Sequence, residues 1–355
     1  MINKTDISSM TLQELEGLAE ALGEKKFRGR QIFAWLHSKL ATDFGQMSDL
    51  PSQLRWELAN RYSIITAKVL SAPISSENGM EEGPASFRTK KYLLEVENQN
   101  IIESVLMRYE YGTTLCVSTQ AGCRMGCVFC ASTLDGLERN LAPGEMSAQL
   151  AVVTRDTGER ISNIVLMGCG EPFDNFDNVV KFLENTINPA GLNLSQRAIT
   201  VSTCGIVPRI KEFARLEKSY GLAVSLHAPN DVLRKEIMPI AKAYDLKQLM
   251  GACDEYTKIT NRRISYEYSM IQDKNDQIDH AHELGRLLRG RLAHVNLIPL
   301  NSVEERGLKA ASRKRLGEFI EILRTYRVRA TPRTNLGQDI NAACGQLRAS
   351  VLAGR

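Results

Sequence analysis

The sequence predicts an α/β protein: an open, partial barrel of six strand–helix units, preceded by a small helical domain and a β-hairpin. Three observations carry that expectation. From residue 114 onward, short runs rich in β-branched residues alternate with longer helical stretches, the rhythm of a parallel sheet wrapped by helices. Residues 1–65 instead repeat their apolar positions at helical spacing. Between the two lie strand-like runs at 87–96 and 101–107, separated by the polar turn Glu97-Asn98-Gln99-Asn100.

Each element has its own warrant. Thr11 and Glu14 form a capping box, and Leu12, Leu15, Ala19 and Leu22 then mark one helical face up to Gly23. The basic cluster Lys25, Lys26, Arg28 and Arg30 follows, then a second apolar face on Ile32, Phe33, Leu36 and Leu40. A third short helix runs from Pro51 through Leu54 and Leu58. Residues 1–65 thus form an accessory domain, and 66–112 a linker plus the hairpin, with a Ser-, Gly-, Pro- and Glu-rich loop at 71–86. The core spans 113–347, with strands expected at 114–119, 161–168, 197–203, 222–228, 263–271 and 293–300 and a weaker one at 328–332; residues 348–355 are a tail. Six units fall short of a closed eight-unit barrel, so the barrel is partial.

Composition narrows the class. With 43% hydrophobic and 24% charged residues over 355 positions, the chain reads as a globular protein. No apolar run reaches bilayer length, and residues 1–10 hold no apolar signal core, so a cytoplasmic protein with no membrane partner is expected. A net charge of +4 permits a polyanionic partner without requiring one. A second basic group, Arg88, Lys90 and Lys91, sits on the hairpin. Either group also fits a solvated charged face.

Three of the eight cysteines lie close together just after the first barrel strand: Cys123, Cys127 and Cys130, a C-x3-C-x2-C pattern. Thiolates suit iron–sulfur clusters and zinc alike. Structural zinc takes four ligands, and no fourth follows at a convenient spacing. A four-iron cluster on three cysteines leaves one iron open to chelate the amino and carboxylate groups of S-adenosylmethionine (SAM), which electron transfer then cleaves. The alternative is a zinc knuckle completed by Cys116 or Cys169.

Barrels of parallel strands gather functional groups at their strand C-termini. Here the second strand ends in Gly168-Cys169-Gly170-Glu171-Pro172, where Gly170 lets a ligand approach the backbone and Glu171 could hold an ammonium group. The third ends in Ser202-Thr203, the fourth in Ser225-Leu226-His227, the sixth in Pro299-Leu300-Asn301. Ser202, Ser225, Leu226, His227 and Asn301 are therefore candidate SAM contacts, although each also fits an ordinary loop cap. No glycine loop of a polar, Rossmann-type methyltransferase is present: Phe173 stands where that fingerprint needs glycine.

In that order, C-x3-C-x2-C, G-x-G-E-P, SLHAP at 225–229, NLIPLN at 296–301 and AACGQL at 342–347 resemble the radical SAM adenine methyltransferases of the RlmN/Cfr family. The likeness takes in KKFRGRQIFAWLH at 25–37 and covers nearly the whole chain, RlmN more than Cfr. The resemblance implies a radical SAM barrel, a [4Fe-4S] cluster on Cys123, Cys127 and Cys130, and two SAM molecules per turnover. It implies that Cys344 takes a methyl group from one SAM. A radical from the second then removes hydrogen from that methyl, and the resulting carbon radical adds to C2 of adenine. Cys116 matches the cysteine that resolves the RNA adduct, ending as a transient disulfide with Cys344, and Glu103 matches the proposed proton acceptor. The implied partners are 23S rRNA in its peptidyl-transferase region, tRNA beside the anticodon, and an external electron donor such as flavodoxin; the chain is expected to act as a monomer.

The sequence departs from the family at Cys169, where methionine is expected, and in an insertion-like loop near residue 80. Cys204 and Cys253 read as buried hydrophobes, and Phe33 and Trp35 as core residues that could also stack on bases. Two alternatives stand beside this reading: Cfr-like methylation of C8, weakly opposed by G-E-P in place of G-E-A, and a non-enzymatic, metal-containing RNA-binding protein.

Overall fold

A computed structural model describes residues 4–76, 88–333 and 336–347. The loop near residue 80 and the 348–355 tail lie outside the described residues.

The N-terminal helices form where their caps and apolar faces place them. Thr11 and Glu14 close the capping box on helix Leu12–Ala21. Phe27–His37 and Ser52–Arg61 follow, the latter starting after Pro51. Their shared faces bury Leu15, Ile32, Phe33, Leu36, Leu54 and Leu58 in a core of their own. The first two helices cross so closely that a Cβ on Gly29 would lie 2.5 Å from the Glu16 backbone. Three contacts tie this unit to the barrel helices: Gly144 N–H to Ser9 Oγ (2.8 Å), Asn185 Nδ2 to the Met10 carbonyl (3.2 Å), and Lys181 to Glu14 (2.6 Å).

Among the described residues the central sheet has ten strands. Gly112–Cys116, Asn163–Leu166, Ile199–Thr203, Gly221–Ser225, Ile264–Met270, Ala293–Pro299 and Arg329–Pro332 are parallel and lie side by side in sequence order. A sheet that never reverses its strand order rolls toward a barrel, so this is the expected open barrel with the weak 328–332 run serving as a seventh strand. The hairpin Thr89–Glu95 and Ile101–Tyr109 extends it antiparallel. Two features were not foreseen. Lys68–Ser71 adds a third antiparallel strand, but all four of its residues are exposed, leaving no burial alternation to read. A small hairpin, Gln120–Gly122 with Leu137–Asn140, brackets the cysteine loop.

Helices such as Phe176–Ile187 and Val207–Arg215 bury Phe182, Ile210 and Phe213 against sheet residues Leu166, Val201 and Val224. Among the described residues no helix is long and apolar enough to cross a membrane.

Candidate active site

At the C-terminal ends of the parallel strands opens a cavity of about 910 Å³. Cys123, Cys127 and Cys130 form one wall. Their loop is fixed by backbone constraints: Gly122 has φ +72°, and a Cβ there would come 2.0 Å from the Gly136 carbonyl oxygen. Cys123 N–H donates to that same carbonyl (2.8 Å), Val128 N–H to the Ile237 carbonyl (3.0 Å), and Thr133 Oγ1 to the carbonyls of Cys127 (3.2 Å) and Cys130 (3.0 Å). Burial pushes all three thiols up, Cys123 to about 12. A buried thiol becomes a thiolate readily only beside a compensating cation, which bound iron provides. Among the described residues no group of three or more His, Cys, Asp or Glu is gathered closely enough for a single metal ion. The three thiols line this one cavity together, and thiolates are ligands that suit iron–sulfur clusters and zinc alike.

The glycines of the second strand end are sterically required. A Cβ on Gly168 would meet Ser118 N at 2.7 Å, and on Gly170, at φ +105°, Gln120 Cβ at 2.6 Å. Both line the cavity, as does Glu171. The Glu171 carboxylate is 4% exposed and accepts the N–H groups of Cys204 (2.7 Å) and Phe173 (3.0 Å). Its oxygens already cap backbone donors, while burial raises its pKa.

Ser202, Ser225, His227 and Asn301 line the same cavity. His227 takes the left-handed conformation, φ +54°, held by Asn275, whose Nδ2 donates to the His227 and Ser269 carbonyls (2.7 Å each). The Ser269 N–H donates to His227 Nδ1 (2.9 Å), and burial lowers the ring's pKa to about 3. The imidazole is therefore neutral and carries its proton on Nε2.

Leu226 departs from expectation. Its side chain is fully buried in the main core and does not line the cavity; the strand ends at Ser225, and the left-handed turn at His227 follows. Asn301 lines the cavity but its amide is committed: Nδ2 donates to the Cys344 carbonyl (2.8 Å), and Oδ1 accepts from Gln338 Nε2 (2.7 Å). It anchors the C-terminal segment. Cys204 also differs from its reading as a plain buried hydrophobe, since it forms part of the cavity wall; Cys253 lies in the core.

The segment 336–347 brings Cys344 into the large cavity. Further bonds dock it: Ala131 N–H to the Gly345 carbonyl (2.8 Å), Ser132 Oγ to the Leu347 carbonyl (2.7 Å), and Gln346 Nε2 to the Ser302 carbonyl (3.0 Å). Cys344 also lines a second cavity, of about 490 Å³, whose wall includes Cys116. Burial, and then Cys344 itself, push the Cys116 thiol up to about 12, with Arg333 opposing.

Arg333 was not singled out from the sequence. It lies just past the last strand, lines both cavities, and places Nη1 3.6 Å from Glu267 Oε2. Cys344 and then Glu267 hold its guanidinium firmly in the charged form. Glu267, 4% exposed and lining the large cavity, also accepts from Asn296 Nδ2 (2.8 Å). Position at a strand C-terminus was the available signal, but it fell on the weakest strand.

Glu103 lines neither cavity. It pairs with Lys91 (3.0 Å) and faces a separate open cleft of about 2010 Å³ shared with Cys169. The basic groups are largely paired too: Lys26 and Arg30 with Glu16 (3.3 and 2.7 Å), and Lys90 with Asp156 (2.6 Å). Phe33 is core, and Trp35 donates Nε1 to Asp49 (2.5 Å) under the Lys39 ammonium.

Comparison with known proteins shows what the chain is similar to. Residues 5–64 match the ribosomal RNA large subunit methyltransferase N-terminal domain, and residues 117–285 the radical SAM superfamily. The chain is 48% identical to a probable dual-specificity RNA methyltransferase RlmN of Lachnoclostridium phytofermentans, over 98% of this chain and 95% of the relative. It is 49% identical to a protein of the same description from Alkaliphilus oremlandii, over 98% of each. The crystal structure of a radical SAM methyltransferase from Sphaerobacter thermophilus superposes with a TM-score of 0.90 at 42% identity, covering 97% of this chain and 99% of that one.

Proposed function

Because the chain belongs to the RlmN family of radical SAM RNA methyltransferases, we propose that it methylates C2 of adenosine in the peptidyl-transferase region of 23S rRNA and next to the tRNA anticodon, with Cys344 carrying the methyl group. The observation that carries this reading is the position of Cys344, which shares one cavity with Cys123, Cys127 and Cys130 and another with Cys116.

Cys123, Cys127 and Cys130 would hold a [4Fe-4S] cluster, with Gly170, Ser202, Ser225 and His227 around SAM. When bound, the cluster and two SAM molecules per turnover supply one-electron chemistry and the methyl group. The chain's residues do the rest. His227 offers a neutral Nε2–H donor to the cavity, and Glu171 holds the strand-end turn through the Cys204 and Phe173 amides. Cys344 Sγ would lose its proton and take the methyl group from one SAM, whose sulfur departs as a thioether. Once that carbon is joined to the base, the Cys116 thiolate would attack Cys344 Sγ. The S–C bond would break with its electron pair on the carbon, which takes up a proton, and the two sulfurs would remain as a disulfide. In this structure Glu103 is paired with Lys91 in the neighbouring cleft, so as acceptor of the C2 proton it would act from that side. We place the protein in the cytoplasm, as a monomer served by an external donor such as flavodoxin.

The test is anaerobic reconstitution with SAM, a reductant and unmodified rRNA or tRNA, followed by mass spectrometry of the digested RNA. 2-Methyladenosine from the wild type and none from Cys344→Ala is the expected result. 8-Methyladenosine would move the site of reaction to C8. No methylated base from a cluster-loaded protein would overturn the substrate assignment.

A further inference from the structure

Tyr109 ends the Ile101–Tyr109 strand, and Tyr111 lies in the tight turn that follows. Gly112 closes that turn at φ +122°, where a Cβ would approach Ser162 Oγ to 2.7 Å, so the turn admits little variation. It lays the two phenol rings parallel, centroids 4.9 Å apart and planes 5° from each other. The inner ring, Tyr109, lines the small cavity with Cys116, Arg333 and Cys344. The outer ring, Tyr111, is 73% exposed.

A lone exposed aromatic is ordinary and carries no meaning by itself. This one is exposed and held by a stack on one face, and the ring it stacks on lines the cavity shared by Cys116 and Cys344. Its chain neighbours are Glu110 and Gly112, with Arg108 beyond, a polar and charged local sequence rather than an apolar run. Flat, sequence-tolerant stacking on a fixed aromatic face is how proteins receive unpaired bases. Arg333, whose charge bears on both phenols, adds a cation on the cavity side.

We propose that Tyr111, stacked on Tyr109, is a platform that receives an unpaired RNA nucleobase at the mouth of the Cys116–Cys344 cavity. This rests on the RNA methyltransferase reading above and adds to it a residue that positions the substrate. A base on the outer face continues the stack, and the ring needs no reordering to accept it.

The experiment uses the reconstituted holoenzyme and two RNA hairpins, one with an unpaired adenosine in its loop and one with an abasic site at that position. Binding is read by fluorescence anisotropy. Tyr111→Ala should weaken binding of the adenosine hairpin by about 5- to 100-fold, the loss of one base–aromatic stack. The abasic hairpin should bind wild type and variant alike, and Tyr111→Phe and Tyr111→Trp should restore adenosine-hairpin binding. Unchanged binding by Tyr111→Ala, or an equal loss with both hairpins, overturns the platform while leaving the methyltransferase reading intact. A wild-type holoenzyme that binds neither hairpin overturns the RNA reading and the platform with it. Thermal midpoints of the three variants, equal to that of wild type, exclude misfolding as the cause.

Discussion

Replacing Asn301 with alanine tests whether the Cys344 segment is held as the structure indicates. The asparagine makes two half-buried hydrogen bonds to that segment, one to the Cys344 carbonyl and one from Gln338. At about 0.5–1.5 kcal/mol net for each, the docked state loses about 1–3 kcal/mol. That multiplies the opening equilibrium about 5- to 150-fold. The segment stays mostly docked, because Gly345, Gln346, Leu347 and Asp339 keep their bonds to Ala131, Ser302, Ser132, Ser75 and Ser76. Hydrogen exchange reads the opening directly: the amides of Ala342 and Gln346, bonded to the Gly337 and Ala343 carbonyls, should exchange faster by that factor. Peptides from the Leu12–Ala21 helix should be unaffected. Exchange at 336–347 within twofold of wild type would refute the anchoring role of Asn301.

Other outcomes follow from the same geometry. Gly170→Ala forces a Cβ against Gln120 at an unfavourable φ, and Gly168→Ala forces one against the Ser118 backbone; each should cost about 1–3 kcal/mol, seen in calorimetry as a thermal midpoint several degrees lower. His37 is buried, its Nε2 has no hydrogen-bond partner among the described residues, and burial lowers its pKa to about 4. Because the unfolded ring titrates near 6.5, the unfolded state takes up the proton first, and stability falls as pH drops from 6.5 toward 4. The slope is up to about 1.4 kcal/mol per pH unit, and His37→Gln should remove it from denaturation curves compared at pH 6.5 and 5. Alanine at Cys123, Cys127 or Cys130 should bring reconstituted iron and acid-labile sulfide to background. Cys253→Ala, altering a core thiol, should retain both, and equal iron in all four variants would remove the cluster assignment.

What was legible in the sequence was local. The Thr11–Glu14 box, the cysteine spacing and the Gly168–Pro172 strand end each lie within a few residues, where backbone geometry leaves few options. Long-range pairings were not. Arg333 meets Glu267 across 66 positions and Asn301 meets Cys344 across 43, and no periodicity links such residues. Leu226 was not placed by the motif alone: its side chain turns into the core while Ser225 and His227 line the cavity, a difference three consecutive letters do not reveal. Asn275, which holds His227 in its left-handed turn, gave no signal, since a lone asparagine in a loop resembles any turn residue.

Cys344 forms part of the wall of both cavities, as do Met167, Ile298 and Arg333. One residue thus borders two chambers, and χ1 is the torsion whose rotation directs its sulfur. Such a rotation takes picoseconds to nanoseconds, whereas lifting the whole segment belongs to slower local unfolding. If Cys344 serves both chambers in turn as proposed, rotation of this one side chain, like a door shared by two rooms, is the smallest movement by which it would change partners.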